Sequence, residues 1–586
     1  MMPAAAPKKI INDPTHSVDE FISGLLLQYP NRLEKLQNHN VLLTANPSQC
    51  VHLLSGGGSG HEPSHAGWIG SGMLSGAICG GIFASPSVAA ILAAIRAAAA
   101  SNGNKGILLV VKNYTGDRLN FGMACEKANQ EGIECQMVVV ADDCALERTK
   151  GITGARGVAG TVLVHKIAGA AAESGKSLKE VASLANQAMA RMGTLGVALD
   201  AVTVPGAATV NDRLDENTIE IGLGIHGEAG MKQSKVLTAN EMAKEMISTI
   251  KEYGRTTVDG EVIPMFNTGD DLCLMVNNLG GTSNFEMSVL ANSAVKLLEE
   301  VYECHVSRLL VGSFMTSFDM HGASITILNL TGCDPELTKM LDAASDAPAW
   351  QACDISITRE RPSAKERPEV VVSEETSEAT LPPVDILDFK ILAKSMGLQA
   401  AKALGEQEPI LTKYDTIVGD GDCGITMKRG SEEVSKRLED GSISTDHPVS
   451  LFATMADAVS ASMGGTSGVL LELMFRKMSS TLSRCEQISA KEMSDAFQAG
   501  VDAICLYGGA TVGSRTMLDA LIPAAKALKE SNDLNEAASR AKTGADGTAQ
   551  MKSASAGRSN YLSEDTLDGT PDPGAVAVSI VLDAIR

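Results

Sequence analysis

Three aspartates lie within eight residues in the last third of the chain, in the segment Asp415-Thr-Ile-Val-Gly-Asp420-Gly-Asp422. Glycines separate and follow them, so the backbone can fold tightly and bring the like charges together. Such carboxylates repel one another unless a cation lies between them. Oxygen ligands without His or Cys suit Mg²⁺, which keeps coordination positions open for phosphate oxygens. The segment therefore predicts a magnesium and nucleotide site.

A calcium-binding loop and a solvated acidic turn are two other interpretations of this segment. A calcium loop needs a bidentate Glu at position 12, but counting from Asp420 gives Ser431 and counting from Asp415 gives Thr426. An EF-hand is therefore excluded. A solvated acidic turn, in which the aspartates only cap backbone groups, stays open as the simpler alternative.

A second loop, Ser462-Met-Gly-Gly-Thr466-Ser467-Gly468, joins two helical patterns. Its glycines would expose amides at a helix N-terminus, where the helix dipole and the hydroxyls of Thr466 and Ser467 favour an anion. Alone, the loop is best explained as an ordinary helix–helix turn. Beside the aspartate segment, it favours phosphate binding.

The first part of the chain carries three polar, glycine-rich segments: Gly56–His61, Lys112–Asp117 and Gly222–Gly230. The first two follow apolar strand patterns, and ligands bind at the carboxyl ends of strands in α/β sheets. The third places His226 among four glycines, and this clearance suits a histidine that must reach a substrate carbonyl carbon. His61 can donate a hydrogen bond or a proton. Together these segments predict a site for a polar small molecule, although each alone is usually structural.

Two familiar motifs fail on their context. Gly175-Lys176-Ser177 resembles the end of a P-loop, but the required upstream glycine is replaced by Ala170. We interpret Gly175 as a helix C-cap. Gly222, Gly224 and Gly227 match G-x-G-x-x-G, yet no acidic residue follows on a clear second strand, so a dinucleotide site is not expected.

Composition narrows the class of protein. The 586 residues include 49 Lys and Arg against 71 Asp and Glu, a net charge of −22, which disfavours a nucleic-acid or anionic-membrane binder. No apolar run is long enough to span a membrane, and no signal peptide is expected. The twelve cysteines show no zinc spacing, which fits reduced thiols in the cytoplasm.

The chain divides at a stretch rich in Pro, Glu and Ser. Residues 357–383 cannot bury enough apolar surface to order themselves, so we predict a linker. Residues 1–356 alternate strand and helix patterns and predict an α/β domain, with two subdomains dividing near residue 200. Residues 384–586 contain about eight helical patterns and no convincing strand, which predicts an all-α bundle or barrel.

In their order along the chain, these segments resemble the ATP-dependent dihydroxyacetone kinase family. The matching stretches are SGGGSGHEPSHAG, KNYTGDRLNFG, GLGIHGEAG, MVNNLGG, GDGDCG, MGGTSG, RTMLD, GRSNY and PDPGA. The resemblance covers most of the chain, and having both domains in one chain resembles the ATP-using members. It implies an α/β substrate domain followed by an eight-helix nucleotide-binding barrel.

The resemblance also implies roles for individual residues. His226 would bind the substrate carbonyl covalently as a hemiaminal, with Asp117 as general base and His61 assisting. The triose site would be lined by Gly58, Ser59, Gly60, His61, Lys112 and Asp117. Asp415, Asp420 and Asp422 would hold Mg²⁺ ions that bridge the ATP phosphates. The nucleotide would contact Asp420, Gly421, Asp422, Cys423, Gly465, Thr466, Ser467, Ser514, Arg515, Asp572, Pro573 and Gly574.

Ser514 and Cys423 depart from the commonest family pattern, where Asp and, in bacterial relatives, His are frequent. Relatives form homodimers, so a homodimer is expected here. The expected activity is phosphorylation of dihydroxyacetone, and also of D-glyceraldehyde, by ATP. Two alternatives remain: cleavage of FAD to AMP and riboflavin cyclic phosphate at the same nucleotide site, or a regulatory binder that senses dihydroxyacetone. The aspartate trio argues against a sensor, which needs no phosphoryl-transfer metal.

Overall fold

A computed structural model describes residues 8–148, 154–207, 213–256, 261–350, 381–556 and 558–586. The chain forms two compact units, Met1–Arg367 and Pro368–Arg586. The predicted linker, 357–383, lies outside the described residues except for its last three positions. Among the described residues, no helix is both long and apolar enough to cross a membrane.

The first unit is built on two six-stranded sheets. The strands of the first sheet are β1 (Leu33–Lys35), β2 (Val41–Thr44), β3 (His52–Ser59), β4 (Gly76–Ile82), β5 (Ile107–Lys112) and β6 (Cys135–Val140), in the order β1-β2-β4-β3-β5-β6. The strands of the second sheet are β7 (Met192–Ala198), β8 (Thr218–Ile221), β9 (Lys232–Lys235), β12 (Asp271–Asn278), β13 (His305–Gly312) and β14 (Gly322–Asn329), in the order β13-β12-β14-β7-β8-β9. The short strands β10 (Arg255–Thr256) and β11 (Val262–Ile263) pair separately.

Eight helices accompany these sheets. They are α1 (Ser17–Gln28), α2 (Val88–Ser101), α3 (Thr115–Gln130), α4 (Thr161–Glu173), α5 (Leu178–Met189), α6 (Ala239–Tyr253), α7 (Asn284–Lys296) and α8 (Pro335–Leu341). Helix α4 is mainly apolar and is buried along its length, including His165 and Lys166, in a core that reaches both sheets. The second sheet begins at β7, close to the predicted subdomain boundary.

Parallel pairing sets the site at one edge of the first sheet. β3 runs parallel to both β4 and β5, and β5 runs parallel to β6. The ends of β3 and β5 therefore meet at the same edge, and they carry Ser59 and Lys112. The expectation that both segments lie at strand carboxyl ends is confirmed, with one correction: the glycines up to Ser59 form the last half of β3 itself and do not follow it.

The second unit is all helical in the described residues. Its helices are α9 (Phe389–Glu406), α10 (Glu408–Val418), α11 (Cys423–Asp440), α12 (Pro448–Ser462), α13 (Gly465–Leu482), α14 (Ala490–Gly508), α15 (Leu518–Ser531), α16 (Leu534–Gly547), α17 (Glu564–Leu567) and α18 (Pro573–Ala584). The helices α9, α11, α12, α13, α14, α15, α16 and α18 pack each against the next, and α18 returns to α9. This closed ring of eight confirms the predicted helical barrel.

In the described part of the second unit, α10 is the long helix that the sequence patterns did not reveal. It starts at Glu408, directly after Gln407, which also ends α9, and Pro409 occupies its first turn. Proline is favourable there because its missing N–H would be unpaired in any case. Asp415 therefore lies on a helix and not in a loop, which corrects the prediction for that residue.

Candidate active site

Two histidines from different sheets meet in the first unit. His61 follows β3, and His226 lies in the connection between β8 and β9. Their Nε2 atoms are 3.1 Å apart. His61 is completely buried, whereas about one fifth of the His226 side chain is exposed. The structure thus brings together the two histidines that the sequence analysis chose separately.

The hydrogen bonds of His61 assign its protons. His61 Nδ1 lies 2.9 Å from the carbonyl oxygen of Thr316, which can only accept, so Nδ1 donates. Burial, followed by the charge of nearby Lys112, lowers the pKa of His61 well below its usual value, so the ring is neutral with a bare Nε2. The proton between the two rings therefore belongs to His226.

Three aromatic rings surround this pair. Phe83 stacks on His61 at 5.1 Å between ring centres and meets the edge of His226 at 5.0 Å. Tyr114 contacts His226 at 4.7 Å, and Phe318 packs on Phe83. Tyr114 lies inside the Lys112–Asp117 segment already singled out in the sequence, whereas Phe83 and Phe318 are far apart in the chain and give no local pattern. The Phe83 and Tyr114 rings give His226 an aromatic surrounding.

Asp117 and Lys112 are buried at the same edge of the sheet. Asp117, in the first turn of α3, accepts a hydrogen bond from the Ser85 hydroxyl. The Lys112 side chain is completely buried, and burial lowers its pKa. Its Nζ lies 5.6 Å from the centre of the Tyr114 ring but has no hydrogen-bond partner among the described residues. A buried ammonium without a hydrogen bond is costly, so this cation suits an oxygen-rich ligand.

The glycines before His61 serve the fold as well as the site. A Cβ on Gly58 would lie 2.6 Å from the backbone of Phe83 and Ala84, so the close approach at this position is between two protein segments. The hydroxyl of Ser59 donates to the Gly80 carbonyl at 2.8 Å. Main-chain bonds from Phe318 to Gly60 and from Thr316 to His61 fix the rest of the segment.

The aspartate trio forms a compact cluster in the second unit. Asp415, Asp420 and Asp422 each offer a carboxylate oxygen within 4.8 Å of the others. Asp415 is buried and accepts the backbone N–H groups of Asp422 and Cys423 at 2.8 and 2.9 Å, whereas the other two aspartates are exposed. Gly421 has a φ of +82°, which an aspartate-rich turn of this tightness requires. This hard-oxygen donor set fits Mg²⁺.

An exposed helix N-terminus carries Gly465 and Thr466, with Ser467 partly buried beside them. Helix α13 begins at Gly465, three residues earlier than its sequence pattern suggested. Arg429 of α11 donates to the carbonyl of Ser462 at 2.6 Å, which places its guanidinium beside this loop. Arg429 was missed by the sequence analysis, although a cation here would reinforce the helix dipole toward phosphate.

Other residues expected near the nucleotide cap or pack helices close to the aspartate trio. Asp572 caps α18 by accepting the Ala575 N–H at 2.8 Å, and burial raises its pKa to about 7. Pro573 and Gly574 open that helix, which packs against α10 and α11, the helices flanking the aspartate trio. Arg515 is completely buried and donates a hydrogen bond to the Thr570 carbonyl. In this form it supports the surrounding loop from the interior and is not exposed to a ligand.

Ser514 and Cys423 are also buried. The Ser514 hydroxyl accepts the backbone N–H of Thr511 at 3.0 Å. Cys423 begins α11, and burial, followed by the neighbouring Asp415 carboxylate, raises the pKa of its thiol to about 12. It therefore remains a neutral thiol beside the carboxylates.

The two rejected motifs adopt the structures expected of them. Gly175, with a φ of +85°, follows α4, and Ser177 caps α5 in a capping box with Glu180. The segment from Gly222 to Gly227 joins the antiparallel strands β8 and β9, not a strand and a helix. Neither segment has the geometry of a P-loop or a dinucleotide fold.

Fold and site together define a protein with a pair of histidines on an α/β unit and a cluster of three aspartates on a helical barrel. Residues 23–349 match the family model of the Dak1 domain, and residues 417–586 match that of the DAK2 domain. The chain belongs to the dihydroxyacetone kinase family.

Individual relatives resemble the chain over its full length. A putative 3,4-dihydroxy-2-butanone kinase of Solanum lycopersicum is 41% identical, covering 98% of this chain and 96% of the relative. The triokinase/FMN cyclase of Homo sapiens is 39% identical, covering 99% and 98%. The crystal structure of the dihydroxyacetone kinase from C. freundii in complex with AMP-PNP and Mg²⁺ is similar at 32% identity, with a TM-score of 0.64 and 99% coverage of both chains.

Proposed function

We propose that this protein transfers the γ-phosphate of ATP to a terminal hydroxyl of dihydroxyacetone, and also to D-glyceraldehyde. The observation that carries the proposal is the contact between His61 and His226, 3.1 Å apart. A pair of imidazoles that share one proton contains both a nucleophile and an acid for a carbonyl group. Membership of the dihydroxyacetone kinase family supports the same assignment.

His226 is proposed to hold the triose as a hemiaminal. The covalent bond fixes a small flexible substrate in one orientation, which replaces the many contacts that a larger substrate would make. It also selects molecules with a carbonyl over plain polyols. Asp117 is the proposed base for the hydroxyl that receives phosphate, and Lys112 the cation beside it. Gly58, Ser59 and Gly60 form the backbone wall of the site.

The second unit is proposed to bind ATP with Mg²⁺. Asp415, Asp420 and Asp422 would hold the metal, which when bound neutralises charge on the phosphate oxygens. Gly421, Cys423, Gly465, Thr466 and Ser467 would lie along the phosphates. Ser514, Arg515, Asp572, Pro573 and Gly574 would form the nearby wall of the nucleotide site.

We also propose the domain limits 1–356 and 384–586, with 357–383 as the linker, and a homodimer in the cytoplasm. All eleven cysteines in the described residues are free thiols, which supports a reducing compartment. Light scattering of the purified full chain tests the dimer, and a mass of one chain across micromolar concentrations would contradict it.

A substrate panel with ATP and Mg²⁺ tests the activity. Dihydroxyacetone, D-glyceraldehyde and 3,4-dihydroxy-2-butanone should each give a phosphorylated product. Glycerol is the matched control, because it keeps the hydroxyls of dihydroxyacetone but lacks the carbonyl. Phosphorylation of glycerol as fast as dihydroxyacetone would contradict the covalent role of His226.

Cleavage of FAD is a second candidate activity, favoured by the similarity to triokinase/FMN cyclase. It would use the aspartate trio but not His226. Incubation with FAD and a divalent cation should then release AMP in both the wild-type protein and His226→Ala. Absence of AMP with the wild-type protein would contradict FAD cleavage, and the kinase activity would remain as the one proposed function.

Replacement of Ser85 by Ala should lower kcat for triose phosphorylation about 10-fold. The Ser85 hydroxyl donates to the buried Asp117 carboxylate, and a hydrogen bond to a charged group contributes about 1.5 kcal/mol. Ser87→Ala is the matched control, since Ser87 only caps α2 nearby. Steady-state kinetics of both variants decide the matter: equal kcat values in Ser85→Ala and wild type would remove Ser85 from the mechanism.

A further inference from the structure

A carboxylate contacts the ring nitrogen of His226 that does not face His61. Glu228 Oε1 lies 2.8 Å from His226 Nδ1, and Glu228 Oε2 accepts the backbone N–H of His226 at 3.0 Å. Burial alone would raise the pKa of this carboxyl, but the hydrogen bonds and charge of His226 lower it to about 2. Glu228 is therefore ionised and can only accept, so Nδ1 of His226 carries a proton.

A buried ion pair stands behind Glu228. Arg156 Nε donates to Asp143 at 2.6 Å, and Arg156 Nη2 donates to the Gly222 carbonyl at 2.7 Å. Arg156 and Asp143 are both buried. This pair anchors the start of the β8–β9 connection to the segment that follows β6.

Gly224 shows how tightly these groups are packed. A Cβ on Gly224 would lie 2.0 Å from Glu228 Oε2 and 2.5 Å from Arg156 Nη1. The absence of a side chain at Gly224 thus leaves space for the Glu228 carboxylate and the Arg156 guanidinium. From the sequence alone, the glycines around His226 were expected to leave space for the substrate.

We propose that Glu228 is a positioning residue for the covalent step, which rests on the proposed function. By holding Nδ1–H, it commits Nε2 of His226 to the bond with the substrate carbonyl carbon. Arg156 and Asp143 anchor the start of the β8–β9 connection that carries both His226 and Glu228. Proximity of a charged partner that fixes one tautomer is a general way to orient an imidazole.

Protons and electron pairs balance in the formation of the hemiaminal, and Glu228 stays ionised throughout. The proton between the two Nε2 atoms passes to His61, and the freed lone pair of His226 Nε2 forms the bond to the carbonyl carbon. The π pair of the carbonyl moves to oxygen, which takes that proton back from His61 Nε2. The His226 ring has two N–H groups before the step, and one N–H and one N–C bond after it, so its net charge does not change. Glu228 accepts the hydrogen bond of Nδ1–H throughout.

The test compares Glu228→Gln with Glu220→Gln. Glu220 is a matched control because it lies on β8, is ion-paired with Arg213 and accepts the Gly230 N–H, so its loss loosens the same hairpin without touching His226. Dihydroxyacetone labelled with ¹³C at the carbonyl is mixed with each full-length protein, and NMR follows the signal from the ketone to the tetrahedral region. Histidine ¹⁵N shifts report whether Nδ1 of His226 keeps its proton.

Glu228→Gln should reduce the adduct and kcat/KM at least about 100-fold and release the Nδ1–H preference of His226. Glu220→Gln should keep both close to wild type. Wild-type adduct formation in Glu228→Gln, or equal losses in the two variants, would overturn the positioning role. No adduct in the wild-type protein would instead contradict the proposed hemiaminal, so the two failures are distinguishable.

Discussion

Changing Asp420 to Asn lowers the kcat/KM of triose phosphorylation by about 10³-fold while the chain still folds. The expected loss corresponds to about 4 kcal/mol of charge stabilisation by a divalent cation at the phosphates. Asp420 is the informative member of the trio because it is exposed. Asp415 is buried and accepts two backbone N–H groups, so its replacement would also disturb the turn.

The same variant, although less active, should be more stable than wild type when no divalent cation is present. Three carboxylates with oxygens within 4.8 Å repel one another without a cation, so Asp420→Asn should unfold at a higher temperature in EDTA than wild type. Mg²⁺ should raise the unfolding temperature of wild type and have little effect on the variant. Calorimetry with and without Mg²⁺ measures both effects.

Asp446→Asn is the matched control for the metal assignment. Asp446 is an exposed aspartate in the same unit, ion-paired with Lys390, and lies outside the trio. It should keep wild-type kinetics and wild-type response to Mg²⁺. Full activity in Asp420→Asn, or equal losses in both variants, would defeat the assignment of the trio as a metal site.

Helix periodicity carried most of the fold prediction for the second unit. The eight barrel helices are long and amphipathic, and each gave a recognisable pattern. Helix α10 did not, because Gly405 and Pro409 follow Leu404 closely and are typical of a helix end and a turn. Tertiary packing, not local pattern, decides that the chain turns there.

The candidate site was predictable where chemistry is local in sequence. Asp420 and Asp422 are two residues apart, so their proximity is forced. Thr316 and Arg156 reach His61 and the His226 segment across long stretches of chain, and no spacing rule connects them. Glu228 lies only two residues from His226 in a segment already singled out, yet its role depends on the return of the hairpin. A single sequence does not encode that geometry in a visible pattern.

Changing His226 to Ala lowers the kcat/KM for dihydroxyacetone by at least about 10³-fold. Orientation through a covalent bond can contribute about 7 kcal/mol or more, and a non-covalent triose would make few compensating contacts. His226 suits this test because it is partly exposed, whereas His61 is completely buried against Phe83 and its removal would leave a cavity. Affinity for ATP should stay unchanged, since the proposed nucleotide site lies on the other unit.

His305→Ala provides the control, because His305 is an exposed histidine of the same unit, paired with Asp271. It should phosphorylate dihydroxyacetone at the wild-type rate. In His226→Ala, dihydroxyacetone should become no better a substrate than glycerol, because the carbonyl no longer has a partner. That ratio separates two explanations of a low rate: a damaged fold would lower both substrates together, whereas loss of the covalent bond removes only the advantage of the carbonyl compound. Wild-type discrimination in the variant would mean that the carbonyl is recognised by another group.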